Sequence, residues 1–202
     1  MNQLDCRTTR KEQSMIVKLL APAAVTGLLL SAMVGAAPAA AQQAGLAADS
    51  SFIQMAGSLG LLQVKLGMMA EKKGSSAVVK DFGKRMVDEY SQANQALAAG
   101  AKQAAYPAPV LLRQHQQVVD RFSRMGGSSF DKNYMAEMVN DHGEAVHLFQ
   151  QESEGGRVAS LKHLAGSMLP TVQQHLALAT QTASSVGADV TASTSARAGQ
   201  KP

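Results

Sequence analysis

Tryptophan is absent from the 202 residues, cysteine occurs once, and Phe and Tyr together supply only 4% of the chain. The lone Cys6 lies near the start, so the rest of the chain can form no disulfide framework, no thiolate metal site and no cysteine nucleophile. Scarce aromatics argue against a β-rich fold, because sheets favour aromatic and β-branched residues, whereas Ala, Leu, Met and Gln favour helices. Charge of one sign is also missing. Of 19 basic and 15 acidic residues, 4 and 2 lie within residues 1–41, leaving 15 and 13 interleaved beyond. A near-neutral chain without a basic stripe is not the footprint of nucleic-acid binding. No Gly-x-Ser-x-Gly, P-loop or Gly-x-Gly-x-x-Gly occurs, which removes the usual hydrolase and nucleotide-binding signatures.

What is present begins with a leader. Lys18 precedes an uncharged run that ends Pro38-Ala39-Ala40-Ala41-Gln42. A basic start, an apolar middle and small residues at Ala39 and Ala41 predict a signal peptide over residues 1–41, with Met15 as an alternative start. A retained anchor competes, since about 23 uncharged residues can span a bilayer. The Gly35–Ala41 stretch is small rather than greasy, which suits cleavage and leaves no stable membrane span. Residues 42–50 read as a linker and residues 184–202 as a disordered, Ser/Thr/Ala/Gly-rich tail.

Residues 51–183 carry four long stretches of helical periodicity. They run about Ser51–Lys73, Ser76–Ala104, Ser128–Gly155 and Val158–Ala183, with breaks at Gly74-Ser75 and Gly155-Gly156. Tyr106-Pro107-Ala108-Pro109 stops the second, and a shorter helix, about Val110–Arg124, precedes Gly126-Gly127. Pro170 should kink the last helix. Two tight turns and one long connection predict an all-α antiparallel four-helix bundle of two hairpins, with a short extra helix in the crossover.

Each long helix interrupts its apolar stripe once near the middle, at Gln63, Tyr90, His142 and His175. Asp141 and Glu89 lie one position off two of these stripes. One reading is a buried hydrogen-bond cluster that fixes helix register, because buried polar groups need partners. A second is a metal site using His142, His175, Asp141 and Glu89, with Gln63 and Tyr90 at the other inward positions; bundle interiors build carboxylate–histidine sites this way. A third is a small apolar ligand held between Met-rich helices. Counted from the turns, the four polar residues are offset by about five positions, or roughly 7 Å of rise, which predicts two staggered levels. Glu144-x-x-His147 and His163 fall on outward faces, and His115 falls on the apolar face of the short helix. Asp81, Lys84, Arg85 and Asp88 read as a solvated face.

Several stretches carry a family resemblance: Leu59-Gly60-Leu61-Leu62-Gln63-Val64-Lys65-Leu66-Gly67, Phe82-Gly83-Lys84-Arg85-Met86-Val87, Phe130-Asp131-Lys132-Asn133-Tyr134-Met135, Met138-Val139-Asn140-Asp141-His142 and Leu169-Pro170-Thr171-Val172-Gln173-Gln174-His175-Leu176. From Phe52 to about Thr182 the chain resembles a bacterial secreted family, classed as a domain of unknown function with a ferritin-like fold, whose members are often described as outer membrane proteins. The resemblance implies a periplasmic, envelope- or stress-associated bundle rather than a barrel. It also implies a metal-like inner shell, with Glu where this chain has Gln63 and Asp-His where it has Glu89-Tyr90; Asp141-His142 and His175 match. With half of that shell changed, the expectation is a degenerate, non-enzymatic bundle that needs no cofactor, the alternative being a residual site for Fe, Mn or Zn. Neither nucleic acid nor membrane is an expected partner, and a homodimer is left open.

Overall fold

The computed structural model describes residues 39–190, with side chains from Leu46 onward. Five helices follow in order: α1 (Ala39–Lys73), α2 (Ala77–Gln103), α3 (Arg113–Ser123), α4 (Gly127–Gly155) and α5 (Ala159–Ser185). Among the described residues there is no strand. The all-α bundle expected from the periodicity is therefore the fold, and the breaks at Gly74-Ser75, Tyr106–Pro109 and Gly155-Gly156 fall between helices. The leader lies, up to residue 38, outside the described residues, as does the tail from residue 191.

Two expectations need correction. Residues 42–50 are not a linker, because α1 begins at Ala39 and runs through them. Ala and Gln are good helix formers, and Asp49, 0% exposed, anchors this end of α1 to another helix. The tail also starts later than expected. After α5, Val186, Ala188 and Val190 still pack on the apolar core. α5 is helical through Pro170 without a break.

Each hairpin turn is capped by an aspartate from a different helix. At the α1–α2 turn, the Asp131 carboxylate on α4 accepts from the Ser75 N–H (3.1 Å), the Ser75 hydroxyl (2.6 Å) and the Ser76 N–H (2.8 Å). At the α4–α5 turn, Asp49 on α1 accepts from the Arg157 N–H (2.9 Å) and the Val158 N–H (3.0 Å). These amides are the unpaired donors that open α2 and α5, and carboxylates there satisfy both hydrogen bonding and the helix dipole. The caps also fix direction. The start of α4 lies beside the α1–α2 turn and the start of α1 beside the α4–α5 turn, so α2 and α4 run the same way. The connection between them must traverse the length of the bundle, and α3 lies along it.

α3 is held at several points. His115 Nδ1 meets the Ser58 hydroxyl at 2.5 Å, and the Leu112 N–H donates to the same oxygen at 2.8 Å. Arg121 pairs with Glu137 on α4 at 2.7 Å, and the Lys73 ammonium donates to the Ser123 carbonyl. His115 is thus the buried, satisfied histidine its position predicted.

Next to Asp49 lies Glu152, 4% exposed and hydrogen-bonded to it. Burial first, then the Asp49 charge, pushes the Glu152 carboxyl up to about 7, with Lys162 opposing. A carboxyl whose folded value is raised stabilises the fold fully below its unfolded value and loses that contribution as pH rises through the folded one. The expected result is that stability falls between about pH 4.5 and 7. Glu152→Gln, which keeps a donor toward Asp49, should flatten that dependence and gain about 1 kcal/mol at pH 8 after allowing for solvent screening. Urea midpoints at pH 5 and 8 check this; a parallel pH dependence in the variant would show that the pair is not its source.

Candidate functional site

The apolar core is split in two. One half, around Leu66, Phe82, Phe130 and Tyr134, lies toward the α1–α2 turn; the other, around Phe52, Leu97, Phe149 and Leu161, lies toward the α4–α5 turn. Between them sit Gln63, Tyr90, Asp141, His142 and His175, none more than 9% exposed. The His142 and His175 rings are 5.5 Å apart and nearly perpendicular, and the Tyr90 ring is 5.8 Å from the first and 5.5 Å from the second. Gln63 joins through its amide N–H₂, which donates to Asp141 Oδ2 at 3.0 Å. The two staggered levels expected from counting are therefore one cluster.

Each imidazole is oriented by its remote nitrogen. His142 Nδ1 donates to the Met138 carbonyl, one turn earlier, at 2.7 Å. His175 Nε2 lies 2.5 Å from the Glu89 carboxylate. With its Nδ1–H committed, His142 Nε2 presents a lone pair; His175 Nδ1 is likewise buried, and neither nitrogen finds a protein partner. Gln63 Oε1 is the third buried acceptor in the cluster without one. Buried polar atoms left without a protein partner are costly unless something else meets them.

Burial keeps the His142 and Tyr90 rings uncharged. Burial drives the His142 value down to about 4, the Met138 carbonyl opposes weakly, and His175 adds to the fall. His142 is thus a neutral imidazole at neutral pH. Burial, with Asp141 and Glu89 adding, pushes the Tyr90 phenol far above its ordinary value. The ring is therefore a protonated phenol.

Of the residues expected to ligate metal, His142 and His175 are brought together, each with one ring nitrogen that has no protein partner. Asp141 and Glu89 instead stand behind them, one bonded to Gln63 and the other to His175. Among the described residues, no three His, Cys, Asp or Glu side chains come together as a metal site. Glu144, His147 and His163 are exposed, as their faces predicted, and so are Asp81, Lys84, Arg85 and Asp88, the middle pair of which forms i,i+4 bridges to Asp88 and Glu89. Sequence reasoning missed Asp49, Asp131 and the Met138 carbonyl. A signal for Asp131 was present: an acid near the start of one helix and a Ser-Ser turn between two others.

An all-α bundle with a polar layer at mid-height is the class that fold and site define. The chain belongs to the DUF4142 family, a domain of unknown function, whose model matches residues 34–182. The crystal structure of a DUF305 protein from Streptomyces coelicolor, described as secreted, is similar with a TM-score of 0.59 over 70% of this chain and 95% of its own, at 14% identity. That likeness is one of fold. No curated protein matches the chain. Among the described residues no helix is long and apolar enough to cross a membrane.

Proposed function

We propose that the protein is an exported, periplasmic, ferritin-like bundle that binds one late first-row transition-metal ion at its centre and is not an enzyme. The observation that carries this reading is the trio of unpartnered acceptors, Gln63 Oε1, His142 Nε2 and His175 Nδ1, in a single buried layer. Export is supported by the leader-like first 41 residues and by the relative described as secreted. The ferritin-like reading is supported by two hairpins joined by a connection that runs the length of the bundle.

The donor types suit one ion better than a carboxylate-bridged pair, because Gln63 is neutral and Asp141 and Glu89 are already bonded to Gln63 and His175. His142, His175 and Gln63 would hold the ion. Metal-binding imidazoles characteristically give their second N–H to a carbonyl or carboxylate, and the Met138 carbonyl and Glu89 occupy those places. Imidazole donors favour zinc, copper or nickel over manganese. A bound ion would supply positive charge beside the Asp141 and Glu89 carboxylates.

The test is a titration of the chelator-stripped protein with Zn, Cu, Ni and Mn, read by calorimetry. One ion per chain should bind, Mn weakest. Glu89→Gln should weaken binding by about 10–100-fold through His175, and His142→Ala by more. A cluster that only fixes helix register would bind none of these ions, or would bind them equally in His142→Ala.

A further inference from the structure

Along the outer side of the same layer, α2 and α5 part to leave a groove of about 280 Å³ open to solvent. Its walls are mainly aliphatic, made by Ala93, Ala96, Met168 and Val172 with the uncharged Gln92, Ser167 and Thr171 among them, and one pole is made by Glu89, Tyr90 and His175. We propose that this groove binds a small neutral aromatic molecule that carries one hydrogen-bond donor, of the indole or phenol class. The proposal goes beyond the metal reading and does not depend on it.

Size sets the first limit. An apolar cavity of about 150 Å³ is enough to take up benzene, so this groove admits one or two fused rings and little more. The walls set the second. Methyl groups and the Met168 thioether offer the soft, flat contacts that aromatic faces and edges favour, and the half of the groove nearest Tyr90 adds an aromatic surface.

The pole sets the third. Glu89 lies there against His175, and its side chain, 39% exposed, offers carboxylate oxygen to the groove. A ligand N–H or O–H has acceptors to meet. A ligand carboxylate has none of the opposite kind, because no Lys or Arg lines the groove while Glu89 does. Arg85, the nearest guanidinium, is 3.6 Å from the other Glu89 oxygen and already offsets that charge, which removes the advantage of a cationic ligand. Neutral, flat and donor-bearing is the class that remains.

The test uses the full chain, stripped of metal by chelator, and titrates indole and indole-3-carboxylate by NMR and calorimetry. Indole should bind with a Kd below about 1 mM, and indole-3-carboxylate at least tenfold more weakly. Ala96 is exposed at the mouth of the groove. Ala96→Phe should leave the fold intact by circular dichroism and weaken indole at least tenfold. Ser167→Phe, from the facing rim, serves the same end if Ala96→Phe is unstable. No indole binding at several millimolar, equal affinity for the carboxylate, or unchanged affinity in both folded Phe variants would overturn the proposal.

Discussion

Asp131→Ala should be among the most damaging single substitutions in this bundle, lowering stability by about 3–5 kcal/mol and the melting temperature by roughly 10 °C. The side chain is 3% exposed and its carboxylate receives three donor groups from the α1–α2 turn. Hydrogen bonds to a charged acceptor contribute about 1.5–3 kcal/mol each at most and do not add fully. Removing the acceptor leaves the Ser75 and Ser76 amides of a closely packed turn unpaired and unties that turn from α4. Asp131→Asn, with one acceptor oxygen left, should fall between. The exposed Lys84–Asp88 bridge is the contrast, since removing it should cost no more than about 0.5 kcal/mol. Chemical denaturation of the three variants tests the ranking, and a loss below about 1 kcal/mol for Asp131→Ala would show that the turn does not depend on the cap.

The second large effect concerns helix contact rather than capping. Near their shared turn, α1 and α2 approach so closely that a Cβ on Gly83 would lie 2.6 Å from the Ala70 Cβ and 2.8 Å from the Gly67 carbonyl oxygen. A Cβ on Gly67 would lie 2.6 Å from the Gly83 carbonyl oxygen. Backbone cannot swing aside, so the helices must separate. Alanine is better than glycine inside a helix by about 1 kcal/mol, whereas overpacking costs about 1–3 kcal/mol and sometimes more. Here two contacts are violated at once and packing wins. Gly83→Ala is expected to destabilise by roughly 2 kcal/mol net, and a stabilised variant would mean the helices can slide apart freely.

The helices themselves were legible in sequence because their stripes are long and their breaks carry glycine or proline. Gly74, Gly155 and the Pro107–Pro109 pair separate segments whose apolar residues recur every three or four positions, and the inward placement of Gln63, Tyr90, His142 and His175 followed from the same count. Their convergence did not. Side chains on a helix lean toward its N-terminus. Gln63 leans toward the α4–α5 turn and Tyr90 toward the α1–α2 turn, which closes the gap that counting Cα positions left open. His142 and His175 lean toward each other for the same reason. Asp49 was missed because it sits among small residues that carry no stripe, and its role depends on α5 amides more than 100 positions away. Which polar groups face the centre and which stand behind them was also beyond the sequence. Glu89 and Asp141 lie next to inward positions, and only the rotation of each helix decides whether a carboxylate faces the centre or stands behind a ring.

The central claim is that the polar layer is built for a cation. Metal content of the full chain, purified without chelator and measured by elemental analysis beside His142→Ala, tests it most directly. The expected result is close to one zinc, copper or nickel ion per chain in the parent, with most of it lost from the folded variant. Sub-stoichiometric metal in the parent even after addition of these ions, or equal metal in His142→Ala, would contradict it and leave the layer as a hydrogen-bonded spacer between two halves of the core.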